Sequence, residues 1–118
     1  MDIIKVSGNS RTSAVAGAIA GVFRDFGVAE IQAIGAGAVN QSIKAMVLAK
    51  GYLLEDGYNI IFTPEFAEVD IDGKIRTAIK ITAEERVPSE NEIYQANFGD
   101  KQVEVETEVE VEAETQAE

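Results

Sequence analysis

Apolar and polar positions change their period several times along the chain. Ile3, Ile4 and Val6 fall in a short apolar run, residues 2–7, that predicts a strand. Gly8-Asn9-Ser10 follow with turn formers, and Ser10 or Asn9 is a candidate helix N-cap. Val15, Ile19, Val22, Phe23 and Phe26 then recur at helical spacing, and Gly27 stands where a left-handed C-cap belongs. One side of this helix carries only small residues, Ala14, Gly17, Ala18 and Gly21. A glycine inside a helix costs about 1 kcal/mol against alanine. The small side therefore predicts a helix lying close against a sheet or a second helix.

Residues 30–34 predict a second strand, and Gly35-Ala36-Gly37-Ala38 a glycine-rich link. A second helix is expected from about Val39, with Ile43, Val47 and Leu54 inward, joined by Met46 and Leu53, and with Asp56-Gly57 at its end. Residues 58–62 predict a strand that Pro64 interrupts or bends. Residues 68–71 and 75–81 alternate on either side of Asp72-Gly73, a strong hairpin signal. The order is β-α-β-α-β-β. It predicts an α+β two-layer sandwich, with two helices on one face of a four-stranded sheet.

The pattern changes again near residue 87. Residues 87–102 are mostly polar, with an apolar patch at Ile93, Tyr94 and Phe98. From residue 103 to 113 the chain alternates, Val103, Val105, Thr107, Val109 and Val111 against Glu104, Glu106, Glu108, Glu110 and Glu112. Two readings fit this segment. It is an added strand that self-associates through Val103, Val105, Val109 and Val111, pairing with a sheet edge in cis or in trans and in the open head-to-tail case building a filament. Alternatively it is a solvated, like-charged tail. The organisation expected is a domain over residues 1–86 and an acidic C-terminal extension over residues 87–118.

Charge sharpens that division. The net charge of −11 is unevenly spread along the 118 residues. Residues 1–86 hold nine Lys and Arg against eleven Asp and Glu, and residues 87–118 hold one Lys against ten acids. The body is nearly neutral, and the extension carries the charge. Such a balance argues against steering toward nucleic acid or anionic lipid. Cysteine and histidine are absent, which excludes disulfides, thiolate or imidazole metal sites and triads built on either residue. No paired carboxylates or nucleophile motif stand out, and Asp70-Ile71-Asp72-Gly73 lacks the rest of a calcium loop. A non-enzyme without cofactor or metal is expected. No apolar run approaches the roughly 18 residues of a membrane span, and the first residues lack a signal peptide's pattern. The expectation is a cytoplasmic protein with no membrane contact.

Several stretches resemble a known family. Lys5-Val6-Ser7 and residues 13–21, SAVAGAIAG, resemble the start of the stage V sporulation protein S family. Residues 29–45, AEIQAIGAGAVNQSIKA, resemble its central signature. Ile71-Asp72-Gly73 and Arg76-Thr77-Ala78-Ile79-Lys80 resemble its closing hairpin. The resemblance covers residues 3–81 and leaves the acidic extension without a counterpart. It implies an Alba-like fold and a small non-enzymatic protein connected with sporulation and septation. It also implies a dimeric habit and, by analogy of fold alone, nucleic-acid binding.

An Alba-like nucleic-acid face is built from the loop before the first helix, the start of the second helix and the hairpin arm. The matching positions are residues 7–11, 38–44 and 74–80, with Arg11, Asn40, Gln41, Lys44, Lys74, Arg76 and Lys80 as candidate contacts; Gly35 and Gly37, between a strand and a helix, are separate candidates for a phosphate contact. Gly35-Ala36-Gly37 is too short for a dinucleotide fingerprint, and a tight strand-to-helix turn accounts for both glycines as well as a phosphate contact does. Asn40, Gln41 and Lys44 either bond to phosphate or base edges or cap the helix and face water. Five cations are a sparser set than Alba-like binders carry, and they support only modest, salt-sensitive affinity. A three-residue hairpin loop would set Asp70 against Lys74 and Glu68 against Arg76, largely neutralising the arm; a two-residue Asp72-Gly73 turn would change the register and still mix acids with bases. Three activities follow: self-association as a structural or interaction protein, weak DNA or RNA binding, and small-molecule or nucleotide binding at residues 35–40.

Overall fold

The structure is a computed structural model and describes residues 2–87. The alternating segment with Val103, Val105, Val109 and Val111, and the patch at Ile93, Tyr94 and Phe98, lie outside the described residues. The elements run β1 (Ile3–Val6), α1 (Thr12–Phe26), β2 (Val28–Ala33), α2 (Ala36–Glu55), β3 (Ile60–Ile71) and β4 (Lys74–Glu85). The sheet order is β1-β2-β4-β3, with β1 and β2 parallel and the other pairs antiparallel. Two helices on a four-stranded mixed sheet form the α+β arrangement that the patterning and the Alba-like resemblance both implied.

Each parallel strand leads into a helix that returns across one face of the sheet. Val6 and the alternate β2 residues Ala29, Ile31 and Ala33 are buried, as are Ile81 and Ala83 on β4 and Ile60 on β3. From α1 the core takes Val15, Ala16, Ile19, Ala20 and Phe23, and the Phe23 ring meets Tyr58 edge to face at 5.2 Å. Gly27, at φ +76, closes α1 by donating its N–H to the Phe23 carbonyl oxygen at 2.7 Å. At the far ends of the helices, Arg24 Nε donates to Asp56 Oδ2 at 2.8 Å.

The two helices correct the expected packing. On α1, Ala14, Gly17 and Ala18 are exposed, and a Cβ added at Gly17 or Gly21 would meet nothing within 4 Å. Close approach comes from the neighbouring alanines instead, Ala16 and Ala20, which are fully buried. On α2 the face toward the core is Ala38, Ser42, Ala45, Ala49 and Leu53. Ile43, Val47 and Leu54, read as inward, are 48%, 68% and 59% exposed. Alanines bring α2 close to the rest of the core, while the large apolar residues occupy the outer side. Ser42, the one buried polar side chain among the described residues, donates Oγ–H to the Ala38 carbonyl oxygen at 2.9 Å. No helix among the described residues is long and apolar enough to cross a membrane.

Boundaries also shift. Arg11, rather than Ser10 or Asn9, is the N-cap of α1, with no side-chain cap bond. Ser10 Oγ instead accepts the Ser7 N–H at 2.9 Å, and Ser7 Oγ accepts the Asn9 N–H at 3.2 Å, tightening the turn. The second helix begins at Ala36, three residues earlier than expected. β3 continues through Pro64, which pairs with Ile81; β3 is an outer strand, where a residue lacking an N–H is tolerated.

Candidate functional site

Topology gathers the candidate contact elements at one end of the sheet. β1 and β2 are parallel, so the turn at residues 7–11 and the start of α2 both leave from their C-terminal ends. The last β2–β4 pair is Ala33 with Ile79, and the β3–β4 hairpin continues past it from Phe66 to its tip. The arm therefore projects from that same end.

The starts of the two helices touch there. A Cβ placed on Gly37 would lie 3.5 Å from the Gly8 Cα, an ordinary van der Waals contact, so the two backbones run side by side there without requiring a glycine. Gly35, at φ +92, makes the turn that launches α2. Gly35 thus has a local structural reason in its positive φ. Neither helix has a side-chain cap or an acidic residue in its first turn, so each N-terminus keeps its positive dipole end uncompensated. Gln41 is already engaged: its Nε2 donates to the Ser10 carbonyl oxygen at 2.7 Å and lies 3.4 Å from Thr12 Oγ1. It fastens α2 to the first turn rather than standing free for a ligand. Arg11, Asn40 and Lys44 are exposed.

The hairpin register overturns the expected neutralisation of the arm. Asp72 and Gly73 have φ of 52° and 83°, so they form a two-residue turn with both central residues left-handed. Asp70 Oδ1 accepts the Gly73 N–H at 2.9 Å and fixes that turn. Lys74 consequently opposes Ile71, and Arg76 opposes Val69. Successive strand residues alternate between faces. Lys74 and Arg76 share one face of the ribbon, and Glu68 and Asp70 share the other. Neither cation makes an ion pair among the described residues. Lys80 differs. It lies on the body of the sheet, paired with Gln32 on one side and Glu65 on the other, with Nζ 3.8 Å from Glu30 Oε1 and 3.4 Å from Glu65 Oε1.

Sequence reasoning passed over Phe66. It pairs with Ile79 at the root of the arm and is 78% exposed, alongside Pro64. Its signal was an aromatic residue two positions after a proline that reads as a strand break. Among the described residues no group of acids is placed to hold a metal ion.

A family model described as Stage V sporulation protein S matches residues 2–86, covering every described element. The match includes the turn, the glycine-rich launch of α2 and the arm, and stops where the acidic extension begins. The chain belongs to the stage V sporulation protein S family, small regulatory proteins related to sporulation.

Proposed function

We propose that this protein serves sporulation as a non-enzymatic structural or interaction protein that works by associating with itself, through the outer surface of its helical layer. The observation that carries this reading is the inverted apolar pattern of α2. Ile43, Val47 and Leu54 point away from the core, and Leu48 and Tyr52 beside them are also exposed. A monomeric domain gains nothing by setting a row of large aliphatic residues in water, whereas burying apolar area is worth roughly 25 cal/mol per Å². The alternating segment at residues 103–113 offers a further contact. Light scattering on the full chain at tens of micromolar is expected to give a dimer or larger assembly. Deleting residues 102–118 then separates the two contributions. A dimer that survives the deletion is held by the domain, and a larger species that collapses to it was built by the extension. A monomeric full chain would defeat the reading.

A second reading, weak binding of DNA or RNA, is favoured by one specific observation: the arm register leaves Lys74 and Arg76 without acidic partners, at the end of the sheet that also carries Arg11, with Lys44 exposed two turns into α2. If these four cations each meet a phosphate, the logarithmic salt slope on duplex is about −3.6. Affinity then falls about a hundredfold between 50 and 200 mM salt. Lys74→Glu with Arg76→Glu is expected to remove most of this binding. Truncation after Arg86 is expected to strengthen it, because nine net negative charges leave with residues 87–118. Exposed Phe66 offers a stacking surface, so Phe66→Ala is expected to weaken single-strand binding more than duplex binding. Binding that is indifferent to salt and to the Lys74 and Arg76 reversals would show that this end of the sheet is not the contact face.

A further inference from the structure

We propose that two copies of this chain meet face to face along α2, antiparallel, across a two-fold axis that crosses the helix near residue 49. This rests on the self-association reading above and specifies its geometry. Ile43, Val47, Gly51 and Leu54 succeed one another at spacings of four, four and three, so they form one row on the helix. That row lies opposite the core-facing set Ala38, Ser42, Ala45, Ala49 and Leu53.

The row is its own complement when reversed. About a centre at position 49, Val47 falls on Gly51 of the partner subunit, and Ile43 falls beside Leu54 of the partner subunit. Gly51 is otherwise unexplained. It sits inside a 20-residue helix, where glycine lowers helix stability, and no left-handed φ requires it. A Cβ there would meet nothing within 4 Å. An open glycine between two bulky residues is a hole, and Val47 is a knob of the right size one turn away.

The rim charges agree with the same axis. A two-fold axis perpendicular to antiparallel helices brings like flanks together. Lys44 and Glu55 share a flank of α2 at nearly equal distances from the centre. Each Lys44 therefore reaches Glu55 of the partner subunit. Both side chains are exposed, and neither makes an ion pair among the described residues. On the opposite flank Lys50 comes near its own copy, and its long stem lets the two ammonium groups splay into water. A parallel pairing would instead set Val47 on Val47, leave the glycine hole empty and, by bringing opposite flanks together, keep Lys44 apart from Glu55 of the partner subunit. The antiparallel arrangement is the one in which shape and charge agree.

The dimer dissociation constant of the full chain is the quantity to measure, by sedimentation equilibrium, with the melting temperature of each variant followed in parallel. Lys44→Glu and Glu55→Lys are each expected to weaken the dimer about tenfold, since each alters two rim pairs at once. The double variant should return to within about twofold of the original. Lys50→Gln should tighten association slightly. Gly51→Leu should weaken it by at least about tenfold while leaving the melting temperature of the protomer unchanged or higher, because the hole is filled but the helix gains. If the unmodified chain is monomeric, the self-association reading itself fails. If it associates but the charge exchange gives no rescue and Gly51→Leu leaves the constant unchanged, that reading stands and this geometry is wrong.

Discussion

Ala49→Asp is expected to unfold the domain, whereas Val47→Asp, two positions earlier, is expected to leave it folded. Ala49 is fully buried among the core residues, with no basic group in its cluster. A carboxylate forced into that space has neither partner nor water, and the penalty is several kcal/mol. Domains of this size have only about 5–15 kcal/mol to lose. Circular dichroism on Ala49→Asp should show lost helix or a melting temperature lowered by tens of degrees, at about 4–8 °C per kcal/mol. Val47 projects outward, so an aspartate there meets solvent in the protomer and loses only a few tenths of a kcal/mol of helix propensity. Its effect belongs to assembly. Any stability that dimerisation contributes by mass action disappears, and the melting temperature stops rising with protein concentration. A stable Ala49→Asp protein, or an unfolded Val47→Asp one, would mean that the phase of α2 is reversed.

Leu53→Ala and Leu54→Ala are expected to differ as sharply, although the residues are adjacent and chemically identical. Leu53 is fully buried, and its carbonyl oxygen also accepts the N–H groups of Asp56 and Tyr58 that bring the chain from α2 toward β3. Removing its side chain leaves a cavity in the core and is expected to destabilise the fold by about 2–5 kcal/mol. The melting temperature should fall by about 10 °C or more. Leu54 is more than half exposed, and its truncation should stay within about 0.5 kcal/mol in the protomer. Chemical denaturation at a concentration low enough to suppress association checks both values. Equal losses at the two positions would contradict the assigned faces of α2.

The elements and their order were legible because their signals are local. Apolar runs marked the strands, Gly27 and Asp56-Gly57 marked helix ends, and Asp72-Gly73 marked the hairpin. The facing of the helices was not legible for a physical reason. A hydrophobic pattern weights a residue by its apolar size, so Ile43, Val47 and Leu54 drew the inward assignment. The close-packed layer admits only alanine and serine over most of α2, and alanine carries almost no signal in such a pattern. The same blindness put Gly17 and Gly21 in a tight contact that Ala16 and Ala20 actually make.

The site was read in the same uneven way. The sequence located the turn, the start of α2 and the arm, and parallel strand pairing then set the first two at one end. It did not reveal which side chains were already engaged. Gln41 bonds to the first turn across 31 residues, and Lys80 is held by acids from two neighbouring strands. Both are long-range contacts that no spacing rule encodes. The fate of Lys74 and Arg76 turned on one residue of hairpin register. A two-residue turn separates the cations from Glu68 and Asp70, where a three-residue loop would have paired them.

Whether the outer face of α2 joins one copy of this chain to another is decided most directly by the mass of the full chain in solution, measured by light scattering at tens of micromolar beside that of Val47→Asp. The expected result is a dimer or larger species for the unmodified chain, and a folded protein of lower mass for Val47→Asp. A monomeric unmodified chain, or a Val47→Asp protein of unchanged mass, would mean that the outer face of α2 does not join two copies.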